Sequence, residues 1–119
     1  MDEASPKISV EYFDNATVVF LSEENILRER DITAIESSVM PLIEKTDGVN
    51  LIINFRNVKF LTSSALGLLI RISKRAYENN GKMLLCTIAP KIYQIFEITR
   101  LDKVFSIYDT QEQALESLE

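Results

Sequence analysis

The chain has 119 residues, 46% of them hydrophobic, a formal net charge of -5, one cysteine and no histidine. That length and composition support one globular domain, residues 1–119, whose core buries roughly two thirds of the unfolded chain's surface. A lone Cys86 without histidine excludes an internal disulfide, a Cys/His metal centre and a Cys/His nucleophilic pair. The acidic balance opposes direct nucleic-acid binding, which needs Lys and Arg set against phosphates.

The residues Met1 to Lys7 lack the basic and apolar regions of a signal peptide and are expected to form a flexible N-terminus. From there Ile8-Ser9-Val10-Glu11-Tyr12 alternates apolar and polar as a half-buried strand does. Asp14-Asn15 then supplies a turn into Ala16-Thr17-Val18-Val19-Phe20-Leu21, so the chain is expected to open with a hairpin. Glu23 to Asp31 is charged and reads as irregular. Ile32, Ile35, Val39 and Ile43 recur at helical spacing after Asp31, an early acidic residue or cap. Pro41 predicts a kink or a boundary in that helix, because a proline inside a helix costs about 3 kcal/mol.

Beyond Thr46-Asp47-Gly48, the run from Val49 to Phe55 is nearly continuous in apolar residues, which marks a central strand covered on both faces. Val58-Lys59-Phe60-Leu61 leads into Thr62-Ser63-Ser64, three hydroxyl residues where a helix N-terminus needs a cap. The helix is expected to reach about Tyr77 and to be closed by Gly81. Lys82 to Ile88 reads as a buried strand, and Pro90 as the first turn of a short helix through about Ile98. In that helix Ile92, Ile95 and Phe96 are core candidates, with Tyr93 on the other side. Val104 to Tyr108 makes a last strand, and Thr110 to Gln113 fits a capping box opening a terminal helix through Leu118. The fold class is therefore α/β, a mostly parallel sheet of about five strands with an opening antiparallel hairpin and about four helices. The longest apolar runs, such as Leu51 to Ile53 and Leu66 to Ile70, fall well short of the ~20 residues of a membrane span. A cytoplasmic location is expected.

At about 100° per residue, Ala65, Leu66, Leu69, Ile70, Ile72, Ala76 and Tyr77 form an apolar arc suited to the sheet. The remaining arc holds Gly67, Arg71, Lys74, Arg75 and Glu78, with Ser63 and Ser64 at its N-terminal end. Glycine costs a helix about 0.8–1 kcal/mol relative to alanine, so Gly67 marks either tight helix packing or a place where a partner comes close. Arg71, Lys74 and Arg75 are either a solvated face or part of a partner surface. The hydroxyls at 62–64 can be ordinary caps or a modification site. Cys86, among Leu84, Leu85 and Ile88, reads as a buried structural thiol. No paired carboxylates, nucleophile-base pair or glycine-rich phosphate loop is present, so the chain does not read as an enzyme, and neither cofactor nor metal is expected.

The segment Asn57 to Leu69, with Cys86-Thr87-Ile88-Ala89-Pro90 and Ile95 to Asp102, resembles the STAS domain of bacterial anti-sigma factor antagonists. The resemblance runs from about Ile8 to Leu118 and includes the order of elements. It implies that Ser63 is the phosphoacceptor of an anti-sigma factor kinase of the GHKL type and that a serine phosphatase resets it. Thr62, Ser63, Ser64, Gly67, Arg71, Lys74 and Arg75 are the expected partner-binding residues. Thr62 stands where the family commonly has Asp, and Ala65 where it commonly has Gly. The implied function is transcription regulation by partner switching. A second reading is a non-phosphorylated STAS interaction subunit of a larger assembly, such as a lipid-transport complex or a stress-sensing scaffold.

Overall fold

The computed structural model describes residues 8–21, 25–26 and 29–119, so the expectation for residues 1–7 lies outside the described residues. Strands β1 (Ile8–Tyr12) and β2 (Thr17–Leu21) form the expected antiparallel hairpin, closed by hydrogen bonds between Phe13 and Ala16. They continue into a five-stranded sheet in the order β1-β2-β4-β6-β7, with β4 at Asn50–Asn54, β6 at Lys82–Cys86 and β7 at Ser106–Tyr108. Every pairing after the hairpin is parallel. The central position of β4 follows from its composition, since Leu51, Ile52, Ile53 and Asn54 are all buried and both faces need cover.

Side chains alternate between the faces of a strand, and two cores result. Val19, Leu21, Leu51, Ile53, Met83 and Leu85 point to the face covered by α1 (Glu29–Lys45), α2 (Ser63–Glu78) and α3 (Pro90–Ile98). Val18, Phe20, Ile52, Leu84 and Cys86 point to the other, where Ala114 of α4 (Gln111–Glu116) closes the layer. Edge-to-face contacts join Phe55 to Phe96 and Phe96 to Phe105, each at 6.1 Å between ring centres. They lock the end of β4 to α3. Ile92 is buried beside Phe96, while Ile95 and Tyr93 are half-buried.

Four expectations are corrected. The stretch 23–31 is not wholly irregular: Asn25–Ile26 form β3, which pairs in parallel with β5 (Phe60–Leu61), and α1 already begins at Glu29. Of the kink or boundary expected at Pro41, the boundary is absent, because α1 runs through it to Lys45. The carbonyl it leaves without a donor belongs to Ser37, which is exposed and can bond water, while Val39 and Ile43 hold the helix down on either side. Gly81 closes α2 only in part: its amide donates to the Ala76 carbonyl at 2.8 Å, but it does not supply the left-handed residue. Asn79 caps α2 and Asn80 takes the left-handed conformation at φ 67°. Gly81 is required instead by closeness to β4, since a Cβ there would lie 2.1 Å from the Val49 carbonyl oxygen. Finally, β7 begins at Ser106 and not at Val104, which follows a 3-10 turn at Leu101–Lys103.

Candidate functional site

The site is built where the central strand ends. After β4, the amide of Arg56 donates to Asn54 Oδ1 at 2.9 Å, and Asn54 Nδ2 donates to Gln111 Oε1 at 2.9 Å. Asn54 is buried, and these two bonds satisfy it on both sides. The Arg56 guanidinium lies over the Phe20 ring at 4.5 Å. The loop leaving β4 is thus tied to β2 and to α4 before it turns back through β5. The pairing Ile26↔Leu61 holds it until the last residue before Thr62.

Thr62 is the N-cap of α2. Its backbone is extended, at φ -99° and ψ 166°, and its hydroxyl accepts from the amide of Ala65 at 3.2 Å. Ser63 and Ser64 are the first two helical residues, and both are exposed. Capping belongs to Thr62 alone, which corrects the expectation that Ser63 shares it. With Thr at position 62 the cap is neutral, and Thr caps helices as Asp does through a side-chain oxygen that accepts from a first-turn amide. Among the described residues, neither the hydroxyls nor the amides of Ser63 and Ser64 have a hydrogen-bond partner. The result is an accessible alcohol beside two open amides at the positive end of a 16-residue helix.

Along α2 the buried face consists of Ala65, Leu66, Leu68, Leu69, Ile72 and Ala76. Two residues assigned to it by periodicity lie elsewhere: Ile70 is 45% exposed and Tyr77 80% exposed, and Leu68 takes the place in the core that the sequence arc omitted. Gly67 is on the solvent side as expected. A Cβ there would meet only the Arg71 guanidinium, at 3.6 Å. Ala65 is buried, so its methyl group at the family's glycine position faces the core and not the outside.

The basic residues divide. Arg71 makes a two-pronged contact with Glu36 of α1, Nε at 3.2 Å and Nη2 at 2.9 Å, and its hydrogen bond pulls the Glu36 carboxyl below its ordinary value. Arg75 donates to Glu44 of α1 at 2.8 Å. These two arginines therefore face α1. Lys74 is exposed on the flank away from it.

Two open clefts lie elsewhere, one of about 330 Å³ along the hairpin turn and the start of β4, the other of about 280 Å³ between Ile88, Tyr93 and Tyr108. No α2 residue lines either. Among the described residues no group of three or more His, Cys, Asp or Glu is placed to hold a metal ion. None of the described helices is long and apolar enough to cross a membrane. Cys86 is fully buried, and burial pushes its thiol up.

Comparison with known proteins matches the STAS domain family model to residues 7–114. The chain is 25% identical over 113 residues to the anti-sigma F factor antagonist of Paenibacillus polymyxa, covering 95% of each. Its structure superposes on an anti-sigma-factor antagonist (STAS) domain protein from Planctomyces limnophilus with a TM-score of 0.81 and 25% identity, over 93% of this chain and 97% of the other. The Bacillus cell fate determinant SpoIIAA in its phosphorylated form has the same fold, with a TM-score of 0.70 and 19% identity over 94% and 99% of the two chains.

Proposed function

The chain belongs to the STAS domain family, and within it we propose that this protein is an anti-sigma factor antagonist that works in the cytoplasm by partner switching, with Ser63 as its phosphoacceptor. The observation that carries the reading is the division of labour at the start of α2. Thr62 does the capping, and Ser63 beside it is exposed with its hydroxyl uncommitted. A residue that reacts and is then reset must change without taking the fold with it, and this arrangement permits that. The likeness to the Paenibacillus polymyxa antagonist over nearly the whole chain supports the same role.

In this reading the unphosphorylated domain binds an anti-sigma factor, a serine kinase of the GHKL type, and so frees a sigma factor. The kinase transfers the γ-phosphoryl group of ATP to Ser63 Oγ, the hydroxyl proton leaves, and ADP is released. A serine phosphatase hydrolyses the ester to restore the hydroxyl. The chain itself supplies an acceptor and a surface and performs no catalysis. Phosphate adds about -1.5 to -2 charge at neutral pH. Two open amides and the helix dipole favour an anion at that point, so the domain tolerates the group while an interface built around a neutral serine does not. The fold of the phosphorylated Bacillus protein matches that of this chain, in line with the first half of the argument.

The test is incubation of the purified protein with ATP and an anti-sigma factor kinase of this type, followed by mass-spectrometric mapping and calorimetric titration. Phosphate is expected on Ser63, with Ser63→Ala unmodified but still bound and Ser63→Asp bound roughly thirty-fold or more weaker, as for an unpaired charge forced into an interface. Phosphate absent from Ser63, together with equal affinity for wild type and Ser63→Asp, would leave the non-phosphorylated interaction subunit as the surviving reading.

A further inference from the structure

The exposed part of α2 has two flanks with different fates. One, carrying Arg71 and Arg75, is occupied by Glu36 and Glu44 of α1. The other runs Ser63, Gly67, Ile70, Lys74, Tyr77, separated by four, three, four and three residues. That is the spacing of a helix-packing seam over two heptads, with Ser63, Ile70 and Tyr77 in one row and Gly67 and Lys74 in the other. Ile70 and Tyr77 are two of the large apolar side chains left substantially exposed, and they stand one heptad apart on the same line as Ser63. Gly67 puts no side chain between Ser63 and Ile70, and the nearest atom to a Cβ there would be the Arg71 guanidinium at 3.6 Å, the far end of a flexible side chain. Lys74 is the one charged residue in the seam.

We infer that the whole length of this flank, and not only its N-terminal turn, is the docking seam for an amphipathic helix of the anti-sigma partner, whose apolar side chains seat at Gly67, Ile70 and Tyr77 and which carries a carboxylate against Lys74. The inference rests on the partner-switching reading and adds the partner element and its charge. The observation that selects this occupant is complementarity. A row of apolar side chains interrupted by a glycine accepts another helix, and one cation within the seam selects an acid. A second copy of this chain fits less well. A two-fold antiparallel pairing about Ile70 sets Lys74 opposite Gly67, where there is no carboxylate. The acidic partner helix also gives the switch its sign. Ser63 occupies the first position of the seam, so its phosphate would confront a helix selected for negative charge, and binding would fail by repulsion as well as by bulk.

The test uses full-length protein and the purified anti-sigma kinase, titrated by calorimetry, with oligomeric state followed by sedimentation. Ile70→Ser and Tyr77→Ser change exposed side chains, so thermal melts should match wild type while affinity falls at least ten-fold for each. Lys74→Glu should fall by a similar factor and recover when one acidic residue of the partner helix is changed to Lys. Seam variants that bind like wild type, while Ser63→Asp does not, would overturn the seam and keep the switch. Absence of wild-type binding would overturn the switch and the seam with it. A concentration-dependent dimer lost in Tyr77→Ser would overturn the assignment in favour of a second copy.

Discussion

Gly67 and Gly81 look alike in the sequence, one inside a helix and one after it, and the structure gives them opposite responses to a single methyl group. A Cβ at Gly81 would lie 2.1 Å from the Val49 carbonyl oxygen, 2.9 Å from its nitrogen and 3.0 Å from its carbonyl carbon. All three are backbone atoms, and that same oxygen accepts from the amide of Lys82 at 3.0 Å, so relief requires pulling β6 away from the start of β4. Inserting atoms into a packed site typically costs 1–3 kcal/mol, and three backbone contacts with no flexible atom to yield put Gly81→Ala at about 3 kcal/mol or more. At roughly 4 °C per kcal/mol for a domain of this size, the midpoint should drop by about 12 °C. Gly67→Ala meets only the far end of the Arg71 side chain, at ordinary contact distance, and gains the helix propensity of alanine, about 0.8–1 kcal/mol. Its midpoint should rise by a few degrees. Calorimetric melts of the two variants beside wild type decide the matter: equal shifts, or a loss at Gly67, would refute the placement of α2 relative to the sheet.

Thr62→Ala should lower stability by about 1 kcal/mol in urea titrations, because the Ala65 amide loses its acceptor, whereas Ser63→Ala should change it by only a few tenths. Glu36 is held below its ordinary pKa, first by the hydrogen bond from Arg71, so its contribution is present above the unfolded value near 4.5 and is lost as pH falls through the lower folded value. Arg71→Ala should therefore flatten the loss of stability between about pH 5 and pH 3, and an unchanged acid limb would show that the pair carries no net energy. Cys86, buried with its thiol pushed up, should react with a thiol reagent only at the rate of unfolding, and rapid labelling of the native protein would contradict its place on β6 in the core layer that α4 closes.

Most of the fold was legible because its signals are local. The nearly continuous apolar run at Val49 to Phe55 marks a strand covered on both sides, and Pro90 and Thr110 mark helix starts through chemistry that acts within one turn. What the sequence concealed depends on distant neighbours. Ile70 and Tyr77 count as apolar on a helical wheel, but the arc ignores where α1 lies. The buried face of Ala65, Leu66, Leu68, Leu69, Ile72 and Ala76 turns α2 so that Arg71 and Arg75 meet residues of α1 more than thirty positions away, and Ile70 and Tyr77 are left outside. Gly81 read as a helix closer because its contact, the Val49 backbone, is likewise remote in sequence. The strand at Asn25–Ile26 is two residues long, too short for any period to show, and exists through its pairing with Phe60–Leu61. At the site, the hydroxyl cluster was visible, but which hydroxyl caps was not. Thr62, Ser63 and Ser64 are equivalent as cap formers until the backbone shows which of them stays extended.

That last assignment governs what modification can do. The helix dipole and open amides stabilise an anion at the first turn by something like 0.3–1 kcal/mol, a small bonus beside a total stability of roughly 5–15 kcal/mol. Loss of the cap would cost a comparable amount. If Ser63 were the cap, its phosphorylation would exchange one term for the other and disturb the first turn of α2 with each cycle. With Thr62 holding the Ala65 amide, the phosphate adds to a helix that is already terminated, and the anchored loop behind it, tied through Asn54 to Gln111 and through Leu61 to β3, has no reason to move. The free energy of the added charge is then expressed almost wholly against whatever sits on α2, where a desolvated unpaired charge is worth several kcal/mol. A small stable domain can thus carry a large change in affinity on one exposed oxygen atom.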